Sequence, residues 1–326
     1  MAEAIIPGEQ WLDTDGRPVQ AHGGSVFAAQ DGTFYFYGEN KELTKPGSQI
    51  WHNGVNCYRS RDLITWSFAG NILKASDDEH SVLHPKRIMD RPHIVFNAKT
   101  GEYVMWLKLV GTEENPHAWS TQYVGIAVSD SIDGDYKLVD TFLPEEMGFG
   151  DFDIFIDDDG SAYLIFDKDH REIVVADLTD DYHNVTGTYS THLHFDAPPL
   201  AREAPAVFKH EGTYYMITSG TTAYRSNRAL LAKADRIHGP WYIVGDPCVD
   251  DFNHNTFDSQ VSSVFRIPSS GQYIAVADRW IADPAQRSEK SSWNIDTSKA
   301  AYVWLPVDVS GGDPKLAWKD AWTPEV

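Results

Sequence analysis

Five polar residues occupy one recurrent position in this chain. His22, Asp90, Asp151, Glu203 and Gln260 each stand 9 to 11 residues before the glycine of a repeated glycine-plus-aromatic motif, and three of the five are carboxylic acids. The stretches they lead into are largely apolar, so polarity here belongs to the position. If the five converge on one cavity, a ring of acids lines it. Such a ring suits hydrolysis of a glycosidic bond: one protonated carboxyl donates to the leaving oxygen, and a second group handles water on the opposite face of the sugar. Crowding raises the pKa of one carboxyl and keeps it protonated near neutral pH.

Glu203 is the first candidate for the acid. In Arg202-Glu203-Ala204-Pro205-Ala206 its neighbours are small and apolar, which desolvates the carboxyl; a buried ion pair with Arg202 is the competing reading. Asp151 is placed to orient Glu203 or tune its pKa. Asp153 lies two residues on and shares its strand face, so the sequence leaves open which of the two lines the channel. Asp157, Asp158 and Asp159 fill a hairpin turn and are read as structural.

The elements that position these residues are strands. The motif reads GTFYFYG from Gly32, GEYVMWL from Gly101, GSAYLIF from Gly160, GTYYMIT from Gly212 and GQYIAVA from Gly271, at spacings of 69, 59, 52 and 59 residues. Each copy follows a short apolar strand and a tight turn, and two more strands follow it. Four strands in each of five units, without a long amphipathic helix, predict an all-β, five-bladed propeller spanning 1–326 as one domain. The first strand of each blade then lines the central channel, which brings the five polar positions together.

Composition narrows the partners. Against 27 Lys+Arg stand 48 Asp+Glu, a formal charge of −21, which disfavours nucleic acid and anionic membranes. The aromatic content (11 Trp, 15 Tyr, 15 Phe) beside abundant acids suits a neutral, hydroxyl-rich ligand, although most of the rings fall in blade strands. Cys57 and Cys248 make neither a disulfide framework nor a metal motif. The start of the chain has no basic, apolar leader, so the expectation is a cytoplasmic protein, or a secreted one if a leader has been removed. Serine-hydrolase, NTPase and dinucleotide motifs have no counterpart here. Trp51 and Trp119, between strand motifs, are candidates for stacking on sugar rings or for packing between blades.

The segments AHGG (21–24), YGENK (37–41), DRPHIVFN (90–97), REAPAVFKHEGTYYMITSG (202–220), DSQ (258–260) and ADRW (277–280) resemble glycoside hydrolase family 43, over nearly the whole chain. The branch most similar is that of the exo-β-1,3-galactanases and related arabinofuranosidase-like enzymes. The resemblance implies a five-bladed propeller and an inverting reaction. It implies Glu203 as general acid, Asp90 and Gln260 holding the attacking water, and Asp151 as modulator. Gln260 would act through its imidic-acid tautomer, unless Asp90 takes the proton itself. Glu39, His22, Tyr224, Asn227, Arg279 and Asp153 are the expected sugar contacts. No cofactor is expected, although a structural Ca²⁺ on the propeller axis is a family possibility, near His22.

Three segments depart from that branch. Asp90-Arg91-Pro92-His93 replaces Glu-Arg-Pro-Lys, Phe149-Gly150-Asp151 replaces Ser-Arg-Asp, and Thr221–Asn227 replaces a loop carrying a stacking Trp. The expected reaction is release of terminal galactose from galactan or arabinogalactan-type glycans. An α-L-arabinofuranosidase or β-D-galactofuranosidase is the alternative, and a non-catalytic sugar-binding propeller the reading from another class. The partner in each case is an oligo- or polysaccharide; oligomeric state is left open.

Overall fold

The computed structural model describes residues 3–115 and 117–326. Its strands form five antiparallel sheets, each consecutive in sequence, as a propeller requires. Blade one is β1 (His22–Ala28), β2 (Phe34–Glu39), β3 (Val55–Ser60) and β4 (Ser67–Leu73). Blade two is β5 (Ile88–Asn97), β6 (Glu102–Val110), β7 (Gln122–Ser129) and β8 (Lys137–Phe142). Blade three is β9 (Phe152–Ile156), β10 (Ala162–Lys168), β11 (Glu172–Leu178) and β12 (Val185–His192). Blade four is β13 (Arg202–His210), β14 (Thr213–Gly220), β15 (Leu230–Ala234) and β16 (Tyr242–Gly245). Blade five is β17 (Gln260–Arg266), β18 (Tyr273–Arg279), β19 (Ala301–Tyr302), β20 (Leu305–Asp308) and β21 (Lys315–Leu316), with β19 and β20 both pairing β18. A connection of 280–300, carrying three short 3₁₀ turns, separates β18 from β19.

Burial explains why the repeated motif is continuously apolar. Second strands such as β6 and β10 pack between neighbouring blades on both faces, so alternation disappears. The outermost strands β8, β12 and β16 face solvent; β8 and β12 read as mixed, while β16 exposes Tyr242, Ile243 and Val244. Between blades one and five, Phe36 and Trp66 meet Trp304 edge-on at 4.9 and 6.0 Å. The ring is closed by the two ends of the chain: the Ile5 N–H donates to the Trp322 carbonyl at 2.8 Å, and the Trp322 N–H returns to Ile5 at 3.0 Å.

The sequence places the five polar residues before their strands, but four lie within them. Only Asp151 precedes its strand; His22, Asp90, Glu203 and Gln260 sit inside β1, β5, β13 and β17. In those four strands the pairing register slips immediately afterwards, between His22 and Ser25, Asp90 and His93, Glu203 and Ala206, and Val261 and Ser263. Such bulges re-aim a side chain without ending the strand. Gly23, Arg91 and Ala204, the residues after the first three, take left-handed φ of 59°, 55° and 49°. For Arg91 and Ala204 that conformation costs on the order of 1–2 kcal/mol each. Pro92 and Pro205 fall inside the bulges, where the ladder asks no N–H of them.

Candidate active site

At one mouth of the channel is a cavity of about 280 Å³. Glu39, Asp90, Asp151, Glu203 and Gln260 reach it from five different blades, with Arg91, Lys108 and His170 among them and Trp51, Trp119, Tyr224 and Trp280 as walls. Trp51 stacks on Tyr224 with ring centres 5.8 Å apart, and Tyr224 lies 5.0 Å from Trp280. Both tryptophans named from the sequence thus line the cavity; Trp51 is buried and also packs on Trp293 of the 280–300 connection.

The two axial acids of blades three and four are held in opposite states. Burial raises the Asp151 carboxyl, but Arg91 and Lys108 outweigh it and hold it below the ordinary carboxylate range. The contacts are direct: Arg91 Nη2 to Asp151 Oδ2 and Lys108 Nζ to Asp151 Oδ1, both 2.9 Å. Among the described residues Glu203 has one cation within 4 Å, the His170 ring at 3.5 Å, which lies nearer to Asp167. Burial, then the charge of Asp151, push it up to about 8, and His170 only partly offsets them. Arg202 is not its partner, because that guanidinium donates to Thr218 Oγ1 and to the carbonyls of Thr218 and Arg228.

Gln260 is saturated. Its Oε1 accepts from Arg91 Nη2 at 2.6 Å and from Trp280 Nε1 at 3.0 Å. Its Nε2 donates to Ser219 Oγ at 2.8 Å and to Glu203 Oε1 at 3.2 Å. Arginine and tryptophan are donors only, so the atom facing them is the amide oxygen. Asp90, by contrast, has one oxygen bonded to Trp51 Nε1 at 2.5 Å, with Lys41 Nζ at 3.8 Å from the same oxygen. Glu39 accepts the Arg91 N–H at 3.0 Å and lies 2.6 Å from Lys41 Nζ; burial raises it to about 7 against the pull of Lys41.

Four expected sugar contacts are placed outside this cavity. The His22 ring is fully buried, stacked on Tyr302 at 5.0 Å with Nδ1 2.9 Å from Asp278 Oδ1. Asp153 points away from the cavity, accepting the N–H groups of Ile154 and Val207 at 2.8 and 2.7 Å; burial keeps its pKa near 7. Asn227 cinches its own loop by hydrogen bonds to both polar groups of the Gly220 backbone, each 2.6 Å. Arg279 donates to the carbonyls of Phe257 and Asp258 at 2.9 and 3.2 Å, bracing a turn in which Thr256, Phe257 and Asp258 all have positive φ. That turn leads into Gln260, so Arg279 acts on the site from behind.

Sequence reading missed Arg91, Lys108, His170 and Trp280. Lys108 lies on β6 and His170 in the β10–β11 turn, positions that only the fold brings to the axis. One signal was present: Gly150. A Cβ there would lie 2.1 Å from Asp167 Oδ1, so glycine admits the fully buried Asp167 carboxylate, which accepts the Asp151 N–H at 2.6 Å. Among the described residues, no group of three or more His, Cys, Asp or Glu side chains is arranged to hold a metal ion.

Residues 25–276 match the family described as Glycosyl hydrolases family 43. Over 99% of its length the chain is similar to a solved β-1,3-galactosidase of that family, at 32% identity and a TM-score of 0.85, covering 64% of that chain. The exo-β-1,3-galactanase of Phanerochaete chrysosporium, solved with galactose, is 28% identical over 99% of this chain and 69% of that one, with a TM-score of 0.84. A β-xylosidase of Bacillus subtilis (strain 168) is 24% identical over 215 residues, 60% of this chain and 37% of that protein. The chain thus spans well under half the length of the curated relatives it matches.

Proposed function

The chain belongs to glycosyl hydrolases family 43, a family of inverting glycosidases, and we propose that it removes a terminal galactose from a β-1,3-linked galactan or arabinogalactan-type glycan. The observation that carries the reading is Glu203: a buried carboxyl raised to about 8, opening on an aromatic-walled cavity beside an ionised Asp151. At neutral pH it holds the proton that the leaving oxygen needs. Galactose is favoured because galactose-active neighbours superpose on 99% of this chain with TM-scores of 0.84 to 0.85.

The water is activated by Asp90 rather than by Gln260. An imidic-acid Gln260 would need a lone pair or a proton to exchange, but its oxygen already accepts two donors and its nitrogen donates to two acceptors. Asp90 keeps one oxygen unengaged by Trp51. In the reaction, water attacks the anomeric carbon and gives its proton to Asp90, while the glycosidic oxygen leaves with the proton of Glu203. One C–O bond forms as the other breaks, and the anomer inverts. Solvent then returns a proton to Glu203 and removes one from Asp90. Gln260 anchors Arg91 and Glu203 around the water.

Anomer-resolved NMR on β-1,3-galactobiose, with aryl galactosides, xylosides and arabinofuranosides alongside, tests this. The expected first product is α-galactose. Asp90→Asn lowers turnover by about 10³-fold or more, and Gln260→Ala by about 10²-fold through misplacement of its neighbours. A β-anomer formed first contradicts inversion, and turnover of xylosides alone contradicts the sugar. Binding of oligosaccharide without product contradicts catalysis.

A further inference from the structure

We propose that His170 is a positioning residue for the acid: held by Asp167 at the tip of the β10–β11 hairpin, its imidazole stands beside the Glu203 carboxyl and sets how readily that carboxyl releases its proton. The inference rests on Glu203 being the acid.

Three independent observations place His170 in this role. The first is backbone geometry. The Arg171 N–H donates to the Lys168 carbonyl at 3.0 Å, and the two residues between, Asp169 and His170, have φ of 53° and 50°. The turn thus holds two consecutive left-handed residues within the three-residue connection from Lys168 to Glu172, a conformation that glycine adopts most readily. Asp and His tolerate that conformation better than most residues with a side chain, and here it places the His170 ring at the cavity. The second is the anchor. Asp167 Oδ1 lies 3.0 Å from His170 Nδ1 and accepts the His170 N–H at 3.1 Å. Asp167 is fully buried and can approach only because residue 150 is glycine. The third is aim. His170 Nδ1 is 3.5 Å from Glu203 Oε2, its side chain is one-quarter exposed, and it lines the cavity.

The charged groups around the imidazole are Asp167 on β10, Glu203 on β13, Lys108 on β6 and Asp151 ahead of β9. Asp167 is the strongest influence and holds the imidazole as a cation, up to about 9, against burial and Lys108. A cation beside Glu203 favours the carboxylate that proton donation leaves behind. It opposes burial and Asp151, which together would make Glu203 too weak an acid.

The test uses His170→Asn and His170→Gly, two residues that accept the left-handed turn. Both are expected to lower kcat about 10-fold on substrates with poor leaving groups. Both move the alkaline limb of the pH profile upward, because Glu203 without the cation keeps its proton to higher pH. His170→Gly is at least as thermostable as the wild type, since the turn strain is relieved, and added imidazole restores part of its activity. An alkaline limb that stays in place or moves down overturns the proposal, as does a loss of activity that follows a loss of stability. Glu203→Gln separates the two levels. If it keeps turnover of poor leaving groups, the assignment of the acid fails and this inference with it. If it is inactive while the His170 variants keep the wild-type limb, only the inference fails.

Discussion

Asp151 and Glu203 head adjacent blades, face one cavity and are both buried, yet their environments drive them apart. At blade three, Arg91 and Lys108 each reach Asp151 at 2.9 Å. At blade four, Glu203 meets the Gln260 amide at 3.2 Å and the His170 ring at 3.5 Å. Two cations contact Asp151 directly, whereas the one cation near Glu203 is more distant and lies closer to Asp167. The result is an ionised group beside a protonated one, the division that acid catalysis at neutral pH needs. Burial alone would have raised both.

Removing the protonated partner has the largest expected effect. Glu203→Gln should lower turnover of glycosides with poor leaving groups by about 10³-fold or more, and of activated aryl glycosides far less, since the latter need no proton. Equal losses on both would mean that Glu203 does not act on the leaving group. The next effect comes from erasing the difference between the two acids. Lys108→Met leaves Asp151 with Arg91 alone, so the two carboxyls compete for one proton. Activity should fall about 10-fold to 10²-fold, and stability at pH 7 by about 3 kcal/mol, because a buried charge loses a partner. The sign with pH is fixed. The folded-state pKa of Asp151 lies below its unfolded value, so its stabilisation is present above the ordinary aspartate range and is lost as pH falls. The penalty of Lys108→Met therefore shrinks in acid. Glu203 runs the other way: raised in the fold, it costs stability as pH climbs from its ordinary value towards about 8. A pH-independent penalty in a denaturation series on Lys108→Met would mean that Lys108 does not hold Asp151 ionised.

The two acids also show how far the sequence could be read. Repeat glycines marked five blades, and counting back from them reached Asp90, Asp151, Glu203 and Gln260, because a blade's first strand always faces the axis. The same count reached His22, whose ring turns behind the cavity onto Tyr302 and Asp278. Position alone does not say where a bulged strand aims its side chain. Lys108 and His170 were invisible for a different reason. They belong to a second strand and a hairpin tip, and their approach to Asp151 and Glu203 depends on how adjacent blades are rotated against each other. Asn227 and Arg279 sit in motifs near the site, but their polar atoms are spent on backbone carbonyls and amides. The full hydrogen bonding of Gln260 is likewise something no spacing rule encodes.

The proposed catalysis turns on Glu203 being protonated at neutral pH while Asp151 is ionised. Infrared difference spectroscopy between the wild type and Glu203→Gln, followed across pH, tests it most directly. The expected result is a protonated-carboxyl band at pH 7 that is absent from Glu203→Gln and fades as pH passes through about 8. A band that survives in Glu203→Gln and disappears in Asp151→Asn would contradict it.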